Sequence, residues 1–137
     1  MIEPKAIPIV HEDRSAIAAV PQNPTSLVEK LFWIDGRISR TAYIMLSLLQ
    51  IVVTIIAFWV SLALLQVSDV VVFGLLVMLG VALFWSILAV TTKRYHDVDA
   101  SGWWQLLGVV PVLGWLIPIY LAVKPGTDGP NRFGPQP

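Results

Sequence analysis

Residues 42–65 read AYIMLSLLQIVVTIIAFWVSLALL, a stretch of 24 positions without a charge. At about 1.5 Å per residue, a helix of this length crosses a hydrocarbon core of about 30 Å. The polar or small members Ser47, Gln50, Thr54, Ala57 and Ser61 are spaced 3, 4, 3 and 4, which lines them along one seam of a helix. Lipid offers that seam no hydrogen bonds, so it should face another helix.

Such a helix lies close by in the sequence. After the polar connection Val67-Ser68-Asp69, residues 70–92 are again uncharged and long enough to span. The two runs should form an antiparallel hairpin. Gly74, Ala82, Ser86 and Ala89 share one face of the second helix and would let the first approach closely. A third apolar run, 103–123, is interrupted by Pro111 and Pro118, with Gly108 and Gly114 flanking the first. Each proline removes an N–H from the helical ladder. Backbone freed in this way is tolerated at membrane depth only where protein or water covers it. A kinked third span is the expectation, since 21 residues just suffice to cross. A re-entrant pair of half-helices is the alternative.

The whole composition agrees with a membrane protein. Hydrophobic residues make up 56% of the chain and charged residues 13%, against about a quarter charged in soluble domains. Nine basic residues balance nine acidic ones and none cluster into a broad cationic face, which excludes nucleic acid as a partner. No cysteine is present, so disulfides and thiolate chemistry are absent.

Outside the apolar runs, residues 1–25 carry four prolines and read as a flexible tail. Their longest apolar run, 16–20, is too short for a secretory signal. Ser26-Leu27-Val28-Glu29 fits a capping box. The short helix after it, with Trp33 and Ile34, suits the headgroup region. Residues 26–125 then form the membrane domain, and 126–137, rich in glycine and proline, a non-helical C-terminal tail. Lys30, Arg37 and Arg40 precede the first span, and Lys93 and Arg94 follow the second, while the connection between them has no basic residue. This charge bias puts the N-terminus in the cytoplasm. The fold class expected is all-α: a multi-pass membrane bundle with a two-span hairpin, a broken third span and an interfacial N-terminal helix.

Most of the chemistry outside the termini lies in 93–104, KRYHDVDASGWW. Set beside Gly36-Arg37-x-x-Arg40, Arg94-x-His96-Asp97 and Ser101-Gly102-Trp103-Trp104, the closing Asn131-Arg132-Phe133-Gly134-x-x-Pro137 completes a set of motifs whose order resembles the bacterial membrane family called domain of unknown function 805. The resemblance covers roughly residues 29–137. Where that family usually has two arginines and a leucine, this chain has Lys93-Arg94-Tyr95, and Gln136 stands where the family often has an acidic residue. The resemblance implies an integral protein of the bacterial inner membrane and supplies no established reaction.

The residues themselves describe a charge cluster at the cytoplasmic edge: Asp35, Arg37, Arg40, Lys93, Arg94, His96, Asp97 and Asp99. Charges of both signs near lipid are costly unless paired, so a network locking the helix ends together is one reading. In a second, Arg37, Arg40 and Arg94 take anionic lipid phosphates while Trp103 and Trp104 anchor at the interface. Asn131 and Arg132 join this candidate binding cluster if the tail folds back. In a third, His96 with Asp97 and Asp99 binds a metal or acts as a base, but the other histidine, His11, lies in the tail. No nucleophile elbow, phosphate loop or zinc-protease spacing occurs, so no catalytic residue, metal ligand or cofactor is assigned. In a fourth, the broken segment beside Gln50 and Thr54 lines a small-solute path, which with so few spans needs a homo-oligomer. A structural, interaction or lipid-contacting role is the expectation, with membrane lipids as partners.

Overall fold

The computed structural model of the chain describes residues 23–64 and 70–137. The expected tail falls mostly outside the described residues, as do the connection 67–69 and His11. The described residues form α1 (Leu27–Phe32), α2 (Arg40–Leu64), α3 (Val70–Asp97), the 3-10 helix η1 (Gly102–Val109) and α4 (Pro111–Val123).

The capping box forms as read. Ser26 Oγ accepts from Glu29 N, and the Glu29 carboxylate accepts from the Ser26 and Thr25 N–H groups. Those donors, Ser26 first, hold the Glu29 carboxyl below its usual range. Along α1, Leu27, Val28 and Phe32 stay exposed, as do Trp33 and Ile34 beyond it. This is the composition of a helix lying at a lipid interface.

With 25 and 28 residues, α2 and α3 are about 38 and 42 Å long, enough to cross a membrane core. Their outward faces are leucine, isoleucine, valine, phenylalanine and tryptophan. Water would penalise so large an apolar surface, at about 25 cal/mol per Å², and hydrocarbon does not. This is an all-α, multi-pass membrane bundle. The seam between α2 and α3 is partly as read. Gln50 and Ser86 are buried and bonded to each other, Nε2 to Oγ at 2.7 Å. Ser61 returns its hydroxyl to the Ala57 carbonyl, whereas Thr54 faces outward. Gln50→Ala should lower stability by about 0.6 kcal/mol, and by no more than about 1.7. Thermal melting in detergent measures the change, and a loss beyond that range would mean the pair does more than join two spans.

The third segment is broken, as its prolines and glycines require, but as two limbs that double back. Gly102 packs on Thr92, and Gln105 Nε2 donates to Thr92 Oγ1 at 3.2 Å. At the far limb, the carbonyls of Leu121 and Lys124 accept from Arg94. Both limbs therefore end at the last turns of α3. The segment 103–123 is thus a broken helix with a sharp bend, and its doubled-back limbs have the shape of the re-entrant alternative. The physical reason lies at the bend. Pro111 sits at the first position of α4, where a missing N–H disturbs nothing, so the chain can end one helix and start another there. Gly108 and Gly114 let the limbs touch: a Cβ at Gly114 would lie 2.6 Å from the Gly108 carbonyl oxygen.

The core sits at the cap end of the hairpin, where Ile38, Tyr43, Leu46, Val90, Tyr95, Val98 and Leu121 form one cluster. Ile117 and Leu121 turn α4 toward it, so α4 runs alongside the spans.

Candidate functional site: a buried charge clasp

The last turn of α3 places Lys93, Arg94, His96 and Asp97 around its circumference, so that each meets a different neighbour. Lys93, fully buried, donates Nζ to the carbonyls of Glu29, at 2.7 Å, and Trp33. It thereby closes the C-terminus of α1. Arg94, also fully buried, donates Nε to Leu121 O at 2.8 Å and Nη2 to Lys124 O. It thereby closes the C-terminus of α4. Glu29 O also accepts from the C-cap Trp33 N–H at 3.1 Å, and the negative end of the helix dipole favours a cation beside the last carbonyls of each helix. Arg40 Nη1 reaches the carbonyl between them, Val123 O, at 3.5 Å.

Asp97 binds the arrangement together. Its Oδ1 accepts from Arg37 Nε at 3.1 Å and Nη2 at 2.9 Å, while its Oδ2 accepts from Arg94 Nη1. All three side chains are buried, with side-chain exposures of 0% for both arginines and 4% for Asp97. The other donors of Arg37 go to Gly129 O at 2.7 Å, Gly134 O at 3.3 Å and Thr127 O at 2.8 Å. Every N–H of both paired guanidinium forks that reaches Asp97 is charge-assisted, the stronger kind of hydrogen bond.

The C-terminal segment 126–137 folds onto this cluster. Thr127 N donates to Asp97 O at 2.8 Å, and Asn131 Nδ2 to His96 O at 2.8 Å, satisfying the last carbonyls of α3. Asn131 and Gly134 exchange backbone hydrogen bonds and close a turn. Phe133 stacks on the His96 ring, with centroids 3.9 Å apart and planes 4° from parallel. His96 Nδ1 faces the Gly36 carbonyl at 3.1 Å, and Gly36 takes a φ of 83° to present it. Asn23 links the near end of the chain to the same body, donating to Pro135 O and accepting from Arg37 N.

Gly126 crosses directly over the Asp97 carboxylate. A Cβ there would collide with Oδ2 and sit 2.8 Å from Cγ. Gly126→Ala should therefore lower stability by about 1–3 kcal/mol, the usual penalty of overpacking. Denaturation in detergent gives the number, and an unchanged midpoint would show that the tail can ride higher without loss.

Of the residues singled out in the sequence, Arg37, Arg94, His96, Asp97 and Asn131 come together here. Asp99 and Arg132 form a separate, exposed pair at 3.2 Å; such pairs add at most about 1 kcal/mol. Trp103 and Trp104 lie on η1 and are exposed. Sequence reasoning did not single out Gly126, Thr127, Gly129 or Asn23. The one available signal was the density of glycine and proline after Lys124, which marks a turn-rich segment without showing what it covers. Lys93 was counted as a charge, and its part in closing α1 was not legible. Among the described residues no three histidine, cysteine, aspartate or glutamate side chains are grouped to hold a metal.

The motif residues thus converge on one body, and comparison with known proteins agrees. The family model described as "Protein of unknown function (DUF805)" matches residues 31–135. The chain belongs to this family. "Inner membrane protein YhaI" of Escherichia coli (strain K12) is 34% identical over 113 residues, which cover 82% of this chain and 92% of that relative. "Inner membrane protein YhaH" of the same organism is 48% identical over 58 residues, 42% of this chain; the match spans about half that relative, 48% of its length. No solved structure matches. For this DUF805 member, Gly36-Arg37, Arg94, His96-Asp97 and Asn131 to Gly134 are the pieces of the clasp, and Ser101-Gly102 starts η1 against Thr92.

Proposed function

We propose that this DUF805 member is a bacterial inner-membrane protein with a structural, interaction or anionic-lipid-contacting role and no catalytic one. In this reading α2 and α3 cross the bilayer, the η1–α4 limbs enter and leave from one leaflet, and the clasp lies at the cytoplasmic face. The observation that carries it is the consumption of the cluster by its own fold. Arg37, Arg94 and Lys93 spend their donors on Asp97 and on backbone carbonyls, and His96 is stacked under Phe133. Groups held in this way orient helices and leave no open site for a substrate.

Lipid contact then falls to what stays accessible. Arg40 is exposed at the start of α2 and Lys124 lies near it at the end of α4; neither has a carboxylate partner among the described residues. Two cations, with Lys124 Nζ over the exposed Tyr120 ring at 5.2 Å, suit a phosphate headgroup plane. With Lys124 and Arg132 returned to the cytoplasmic side, the re-entrant path also satisfies the charge bias that a third crossing would violate.

Single cysteines introduced into this cysteine-free chain test the topology. Thr25→Cys and Gln136→Cys should react with a membrane-impermeant maleimide only from the cytoplasmic side, and Val70→Cys only from the opposite side. Labelling of Gln136→Cys from outside would overturn the re-entrant path. Native mass spectrometry from phosphatidylglycerol nanodiscs tests the lipid role. The Arg40→Gln, Lys124→Gln double variant should retain less phosphatidylglycerol than the parent, and equal retention would remove it.

A further inference from the structure

α3 ends in a left-handed turn, and the residue that makes it is not a glycine. Asp99 has a φ of 56°, the one positive φ outside glycine among the described residues. Around it the chain closes a Schellman motif, in which Ala100 N–H donates to Tyr95 O at 2.9 Å and Asp99 N–H to His96 O at 3.1 Å. Glycine is the usual occupant of that position, because a side chain there crowds its own backbone. Asp99 therefore keeps a conformational cost that glycine would remove.

What the aspartate adds is a carboxylate, and the partner of that carboxylate is Arg132. Asp99 Oδ1 lies 3.2 Å from Arg132 Nε, and the Asp99 carbonyl accepts from Arg132 Nη2 at 3.0 Å, so one residue grips the guanidinium twice. A glycine would keep only the carbonyl grip. The same guanidinium lies over the Phe133 ring, 4.7 Å from its centroid, and Phe133 is stacked on His96. The grip thus bears on the closing turn 131–134. Arg37 holds the segment chiefly nearer its start, through Thr127 O and Gly129 O, and reaches the turn by a longer contact to Gly134 O at 3.3 Å. Unlike the buried triad, the Asp99–Arg132 pair is open to solvent, with side-chain exposures of 49% and 61%, so dissolved ions screen it.

We infer that Asp99 is a latch: its carboxylate holds the turn 131–134 shut over His96, and this turn opens by itself when salt screens the pair, while the buried Arg37–Asp97–Arg94 group stays closed.

Hydrogen exchange of the full chain in non-ionic detergent, at low salt and at about 0.5 M sodium chloride, tests this. Exchange over 131–134 in the parent should rise with salt by up to about fivefold, which is what an exposed pair can supply, with α2 and α3 unchanged. Asp99→Gly should exchange at the faster rate already at low salt, lose the salt response, and melt no lower than the parent, since its backbone is relieved. The double variant Asp99→Gly, Arg132→Gln should be no faster than Arg132→Gln alone, because the two act through one contact. A parent without a salt response over 131–134, or an Asp99→Gly variant as protected there as the parent, would overturn the latch. A lower melting point for Asp99→Gly, with exchange faster in α3 as well, would overturn it by showing that Asp99 supports the whole fold.

Discussion

Asp97→Ala should leave the protein close to unfolding. With the carboxylate gone, the guanidinium groups of Arg37 and Arg94 face each other in a space closed to solvent, and neither can turn elsewhere without releasing the carbonyls it already holds. Breaking a buried ion pair by removing one partner costs about 3–5 kcal/mol, because an uncompensated charge stays behind. Here one carboxylate serves two cations, so the upper end of that range applies. Against a total stability of about 5–15 kcal/mol, this is enough to lower the yield of folded protein from membranes. Fluorescence-detected size exclusion after mild heating would measure it, and a melting point within experimental scatter of the parent would mean that water or lipid reaches the cluster. Asp97→Asn should recover part of the loss, since an amide oxygen still accepts while the charge remains unmatched.

Arg37→Ala should release the C-terminal segment while the hairpin stays folded. Asp97 keeps Arg94 as its partner, so the change should cost about 3 kcal/mol, the lower end of the same range. The effect is localised because Arg37 holds Thr127, Gly129 and Gly134 through their carbonyls. Amide hydrogen exchange over 126–134 should accelerate strongly in this variant, with exchange in α2 and α3 unchanged. Arg37→Lys should not restore protection, since an ammonium cannot reproduce the planar fork that reaches a carboxylate and several carbonyls together. Uniform acceleration across the whole chain would instead mean that Arg37 supports global stability and has no special hold on the tail.

These expectations come from contacts between distant parts of the chain, and that is where legibility in the sequence ends. The spans were readable because lipid imposes a local rule: each must be long, uncharged and helical, and 42–65 and 70–92 satisfy it without reference to anything else. The capping box was readable for the same reason, since Ser26 and Glu29 satisfy each other within one turn. Of the eight charges read as one cluster, only Arg37, Arg94 and Asp97 pair in a buried group, whereas Asp35 and Arg40 are exposed and Asp99 pairs apart with Arg132. The wiring was not readable. Lys93 and Arg94 are neighbours in sequence with the same charge, yet one closes α1 and the other α4, a division set by the roughly 100° turn between successive helical residues and by which helix lies on each side. The lipid reading of Arg37 and Arg94 rested on their charge alone, and burial against Asp97 takes both guanidinium groups out of a headgroup's reach.

The sequence by itself determined the solvent and the secondary structure of this protein: hydrocarbon around two crossing helices, an amphipathic lead-in, and a proline-broken third segment. The tertiary structure alone decided that the two limbs of the third segment double back so that both reach the last turns of the second long helix, and that the glycine-rich end of the chain seats over a carboxylate shared by two arginines. The physical reason is range. Hydropathy and capping act over a few residues and leave their mark on composition, whereas a hydrogen bond from Arg37 to a carbonyl some ninety positions away leaves no local trace.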